Sequence, residues 1–87
     1  MTFKEWLITF IDESDLDRDH IFKIEHEGTS HSLKFDAVVN SIIALPAKYQ
    51  QKIKNELMAI NTQNGDVMHY LNYVAEGFIK FNTQQFI

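Results

Sequence analysis

Two histidines, His26 and His31, lie five residues apart around Gly28, in the one stretch of this chain whose polar and apolar side chains alternate (residues 22–35). Folding that stretch about a two-residue turn at Gly28-Thr29 sets Phe22 opposite Phe35, Ile24 opposite Leu33 and His26 opposite His31. Directly opposed side chains have Cβ atoms ~4.5–5.5 Å apart, close enough for two imidazoles to share a zinc ion. His20 or Glu27 would supply a third donor. A structural zinc site takes four, so the pair underfills the shell. The plainer reading makes His26 and His31 the wet end of an apolar face, each with its own water or backbone partner.

The acidic run Asp12-Glu13-Ser14-Asp15-Leu16-Asp17-Arg18-Asp19 invites a calcium reading. With Asp15, Asp17 and Asp19 at ligand positions 1, 3 and 5, the sixth position needs the glycine of a sharp turn and the twelfth a bidentate glutamate. Those places hold His20 and His26, so the motif fails twice. What remains is a solvated connection, or a contact surface at Asp15, Asp17 and Asp19 for a basic partner. Further on, His69, Asn72 and Glu76 share one side of a helical stretch, a base and an orienter without a nucleophile beside them. No Gly-x-Ser-x-Gly, phosphate-binding glycine loop or His-Glu-x-x-His occurs. The chain is therefore expected not to be an enzyme and to need no cofactor.

The elements that position these residues follow from periodicity. Thr2-Phe3-Lys4-Glu5 has the form of a capping box. Phe3, Trp6, Leu7, Phe10 and Ile11 then repeat at helical spacing. After the hairpin, with Gly28 placed first in a type II′ turn, Asp36 is expected to cap a helix whose face is Val38, Val39, Ile42, Ile43 and Leu45. Pro46 divides it from a third helix with the stripe Tyr49, Ile53, Leu57 and Ile60 and a basic outer side of Lys48, Lys52 and Lys54. Asn64-Gly65 reads as a stop and Asp66 as the cap of the last helix. There Val67, Met68, Tyr70, Leu71, Val74, Ala75, Phe78, Ile79 and Phe81 cover more than half the circumference and leave His69, Asn72, Glu76 and Lys80 as the polar strip. A helix so apolar is the central packing element or half of an oligomer interface.

The order predicts one α+β domain over residues 1–87: an N-terminal helix, a two-stranded antiparallel hairpin (about 21–35), and three helices (about 36–45, 46–61 and 66–81). Of the 87 residues 45% are apolar, including seven Phe, and there is no cysteine to form a disulfide or a thiolate site. The net charge is −4, with nine acids and four bases in residues 1–36 against three and four in the remainder. A lone arginine, Arg18, gives no guanidinium cluster for phosphates or base edges, so direct nucleic-acid binding is not expected. No signal sequence or membrane-spanning run is visible, and a cytoplasmic location is expected.

The opening Met1-Thr2-Phe3-x-x-Trp6-Leu7-x-x-Phe10 and the later Asn64-Gly65-Asp66-Val67-x-His69-Tyr70 resemble small uncharacterised proteins of bacterial plasmids and integrative elements. The resemblance implies a bacterial mobile-element setting and carries over no activity. The expectation is a non-enzymatic interaction or regulatory protein whose partner is another protein or itself, joined by the hairpin edge or by the last helix through Tyr70, Tyr73 and Phe78. The alternatives are an acidic nucleic-acid mimic that inhibits a host DNA-binding protein, built on the acidic run, and a metal-binding module at His26 and His31.

Overall fold

The computed structural model describes residues 1–60 and 64–85. Its elements are α1 (Phe3–Glu13), β1 (Ile21–His26), β2 (Thr29–Lys34), α2 (Phe35–Ile43), α3 (Ala47–Ala59) and α4 (Asn64–Gln85). This is the small α+β domain that the periodicities predict, in the predicted order. Among the described residues no helix is long and apolar enough to cross a membrane.

At the head of α1 the capping box forms: the Glu5 N–H donates to the Thr2 hydroxyl at 3.1 Å, and the Glu5 carboxylate accepts from the Thr2 N–H. Leu7 and Ile11 are buried, whereas Phe3, Trp6 and Phe10 stack along the helix and stay half-buried. In the connection from α1 to β1, the Asp19 N–H donates to the Asp17 carboxylate at 3.0 Å. Side chains of this type favour turns because they bond the backbone locally.

The hairpin differs from expectation in its register. Phe22 pairs with Leu33, Ile24 with His31 and His26 with Thr29, so the two histidines are diagonal neighbours rather than opposed. The turn residues are Glu27 and Gly28, at φ 53° and 77°. Positive φ at both central positions defines a type I′ turn, whose twist matches that of the strands, with Gly28 second rather than first. A shift of two residues leaves the faces unchanged. Phe22 and Ile24 are still buried, with Leu33, His26 and His31 half-buried on the same side. Glu27 adopts a conformation that costs most L-residues about 1 kcal/mol and asparagine much less. Glu27→Asn should therefore raise stability by up to ~1 kcal/mol, read as a higher urea midpoint at unchanged slope. A lower midpoint would argue against this turn.

The new register also frees Phe35 from the sheet to become the first residue of α2. Its N–H donates to the His20 carbonyl at 3.1 Å, one more rung of the ladder. That bond satisfies a donor at a helix start where the cap is Lys34 and no side chain serves as cap. Asp36 therefore lies inside the first turn and is not the cap. In the same way Asp66 falls in the first turn of α4, and Asn64 and Gly65 belong to the helix. The Gln50 side chain on α3 donates to the Ile43 carbonyl at the end of α2, 2.8 Å away, and so fixes the turn at Pro46.

The core is assembled around α4, which packs on β1 and α2. Val67, Leu71, Ala75 and Ile79 recur every four residues and are buried together with Leu7, Ile11, Phe22, Ile24, Phe35, Val38, Ile42, Ile53 and Leu57. Ala75, at 0% exposure, is among the most deeply buried residues and lies on the inner side of α4. Tyr49, expected in the inner stripe of α3, is exposed instead, with Lys48 Nζ 5.1 Å from its ring centre. Lys54 lies against Trp6, joining α3 to α1.

Candidate interaction surface

The residues singled out by chemistry are scattered. His26 is half-buried with Nε2 3.7 Å from the Glu27 carboxylate, and His31 lies diagonally across the hairpin. Diagonal positions are separated by roughly 7–8 Å. Among the described residues no group of three or more His, Asp or Glu side chains converges as a metal ion would need. Asp15, Asp17 and Asp19 are exposed on the connection between α1 and β1. Asp17 is occupied by the Asp19 N–H, and Arg18 between them reaches Asp12 at 3.4 Å and Asp36 at 3.7 Å. The run therefore ties the end of α1 to the start of α2.

α4 gathers the remaining candidates. Asn72 donates to Glu76 at 3.4 Å, and both are half-buried at the margin of the core. The outward stripe is not the polar strip read from the sequence but Asp66, His69, Tyr73, Gly77 and Lys80. Phe81 lies beside it. Tyr73 is 68% and Phe81 61% exposed, while Phe78 is packed against the core and contributes little outer surface. A shallow cleft of about 420 Å³ adjoins the stripe, lined by Ile60, Asp66, His69, Tyr70 and Tyr73.

Tyr70 closes the inner wall of that cleft. Its hydroxyl donates to the Glu56 carboxylate on α3, and its ring lies 6.5 Å from that of Tyr73. Burial, then the hydrogen bond and charge of Glu56, push its pKa above the ordinary tyrosine value. A phenol held protonated in this way is a poor base and a poor nucleophile. His69 is exposed and Glu76 is turned to Asn72, so among the described residues lining the cleft no nucleophile–base pair is assembled. The tie between Tyr70 and Glu56 is structural. Tyr70→Phe should cost about 1 kcal/mol at neutral pH. The folded pKa being raised, the wild-type advantage is complete below the ordinary tyrosine value, about 10, and is lost as pH climbs beyond it. Urea midpoints of wild type and Tyr70→Phe, separated at pH 7, should converge in strong alkali. A constant separation would show that the hydrogen bond does not set the difference.

The hairpin supplies a second surface. With Phe22–Leu33 and His20–Phe35 as hydrogen-bonded rungs, the main-chain groups of Lys23 and Glu25 on β1, and of Ser30 and Ser32 on β2, point away from the ladder. These groups form no hydrogen bond to other described residues. Leu33 and His31 on β2 are only half-buried, whereas Phe22 and Ile24 on β1 are fully covered, so β2 is the more open strand.

Comparisons of the chain with protein-family models, with curated proteins and with solved structures return no match.

Proposed function

We propose that this protein acts without catalysis, by contact with another protein, through the outer face of α4. The observation that carries this reading is the pair Tyr73 and Phe81, 68% and 61% exposed on the outer side of one helix. Aromatic side chains bury large areas at little entropic cost and dominate binding energy where they are desolvated by a partner. Nothing within the described residues covers them. A regulatory role in a bacterial mobile element, in the cytoplasm, accords with the resemblance of the opening and Asn64–Tyr70 motifs. The open edge of β2 offers a second point of attachment, by strand addition.

The nucleic-acid mimic takes second place, because Arg18 and the Asp17 turn bind part of the acidic run's charge to the fold. Capture of partners by immobilised wild type, Tyr73→Asp, and Asp15→Asn/Asp19→Asn discriminates the two. Loss of capture only with Tyr73→Asp supports the α4 surface. Loss only with the aspartate variant supports the mimic and overturns the α4 reading.

A further inference from the structure

We infer that the partner of the α4 face is a second copy of this chain, docked antiparallel along the same helix. This rests on the contact reading above and specifies its partner. The outward stripe is symmetric about Tyr73: Asp66 and Lys80 each lie seven residues from it, and His69 and Gly77 each lie four. A two-fold axis at Tyr73 therefore sets Asp66 against Lys80 of the second copy and Lys80 against Asp66 of the second copy. It also sets each His69 against the other copy's Gly77, with the two Tyr73 rings meeting at the axis. A parallel arrangement would oppose aspartate to aspartate and lysine to lysine, so the charge pattern selects one direction.

Two further observations agree. Asp66 and Lys80 form no ion pair with other described residues, so both are available to a partner. Gly77 stands in a helix interior, where glycine is the least favourable residue after proline. A Cβ built on it meets nothing within 4 Å, so packing within its own chain does not demand glycine. Close approach of an opposing imidazole does. From Asp66 to Lys80 the stripe is about 21 Å long, which makes a small interface and predicts self-association in the micromolar range.

Sedimentation equilibrium on four samples tests the arrangement: wild type, Asp66→Lys, Lys80→Asp, and an equimolar mixture of the two variants. Circular dichroism confirms that each is folded. Wild type should dimerise, and each variant alone should self-associate roughly tenfold more weakly, because both charge contacts become repulsive. The mixture should regain wild-type association, because the heterodimer restores two opposite-charge contacts. Gly77→Leu should abolish dimerisation while remaining folded.

Wild type that stays monomeric at high micromolar concentration overturns the inference. Dimerisation equally strong in both single variants also overturns it, by placing the interface elsewhere. If wild type is monomeric yet captures a different protein through Tyr73, the second copy is excluded and the contact reading stands. If there is neither self-association nor Tyr73-dependent capture, both fall.

Discussion

Phe22→Ala should be among the most destabilising single truncations in this chain, lowering the melting temperature by roughly 15–30 °C. Phe22 and Phe35 are each 1% exposed, with ring centres 6.1 Å apart and planes inclined by 24°. The His20 ring meets the Phe22 ring edge-on at 4.7 Å, so three elements (the end of the α1–β1 connection, β1 and α2) are joined at this one side chain. Truncating a buried phenylalanine costs about 3–5 kcal/mol, transfer and cavity terms together. A domain of this size holds only some 4–13 kcal/mol in total. The loss corresponds to a fall in melting temperature of roughly 15–30 °C. Phe81→Ala, on the exposed face, should move stability by no more than about 0.5 kcal/mol in dilute protein. Thermal melts followed by circular dichroism compare the two, and a shift under 5 °C for Phe22→Ala would remove this cluster from the centre of the core.

The second large effect is expected from Ala75→Asp, paired with Ala37→Asp. The chemical change is the same in both, yet Ala75 is wholly buried on α4 and Ala37 is exposed in the first turn of α2. At Ala75 the carboxylate loses its hydration and meets only apolar neighbours, at a cost on the order of 3 kcal/mol or more. At Ala37 it lies near the positive end of a helix dipole, worth 0.3–1 kcal/mol, which offsets the lost propensity of alanine and leaves stability within about 0.5 kcal/mol of wild type. The pH response separates the causes further. Burial would raise the pKa of the introduced carboxyl, so Ala75→Asp should regain stability as pH falls through that raised value, completely only below the ordinary aspartate value of about 3.9, where the group is neutral in both states. Equal effects at the two positions, or no recovery in acid, would contradict the burial assigned to Ala75.

Most of the architecture was legible in the sequence because each element declares its own period. Leu7 and Ile11 mark α1, Val38 and Ile42 mark α2, and the alternation of Phe22, Ile24 and Leu33 marks the sheet. The register was not. Gly28 fits the first place of one turn type and the second place of another, and the two solutions differ by two residues. That keeps every side chain on the same face, so hydrophobic alternation cannot choose between them. The choice is tertiary: Phe35 is worth more as the first residue of α2, stacked on Phe22, than as a strand residue facing it. The outer face of α4 departs from the polar strip of the sequence for a related reason. A polar strip drawn by residue type gathers Asn72 and Glu76, but these pair with each other at the core margin and rotate Tyr73 outward. The buried line of Val67, Leu71, Ala75 and Ile79 sets that rotation, and alanine carries too little hydrophobic signal to mark its place in that line. The capping residues expected at Asp36 and Asp66 fell a residue or two inside their helices because caps and first turns favour the same small polar side chains.

The bond from the Phe35 N–H to the His20 carbonyl leaves no linker between hairpin and helix. The amide that closes the sheet is also the amide that opens α2, so neither can fray without exposing the other. In hydrogen-exchange terms the hairpin and α2 form a single unit, and the Phe35 amide should exchange no faster than the ladder amides of Phe22 and Ile24. The junction of Lys34 and Phe35 should consequently tolerate a nick or an inserted segment poorly, although it joins two different kinds of secondary structure.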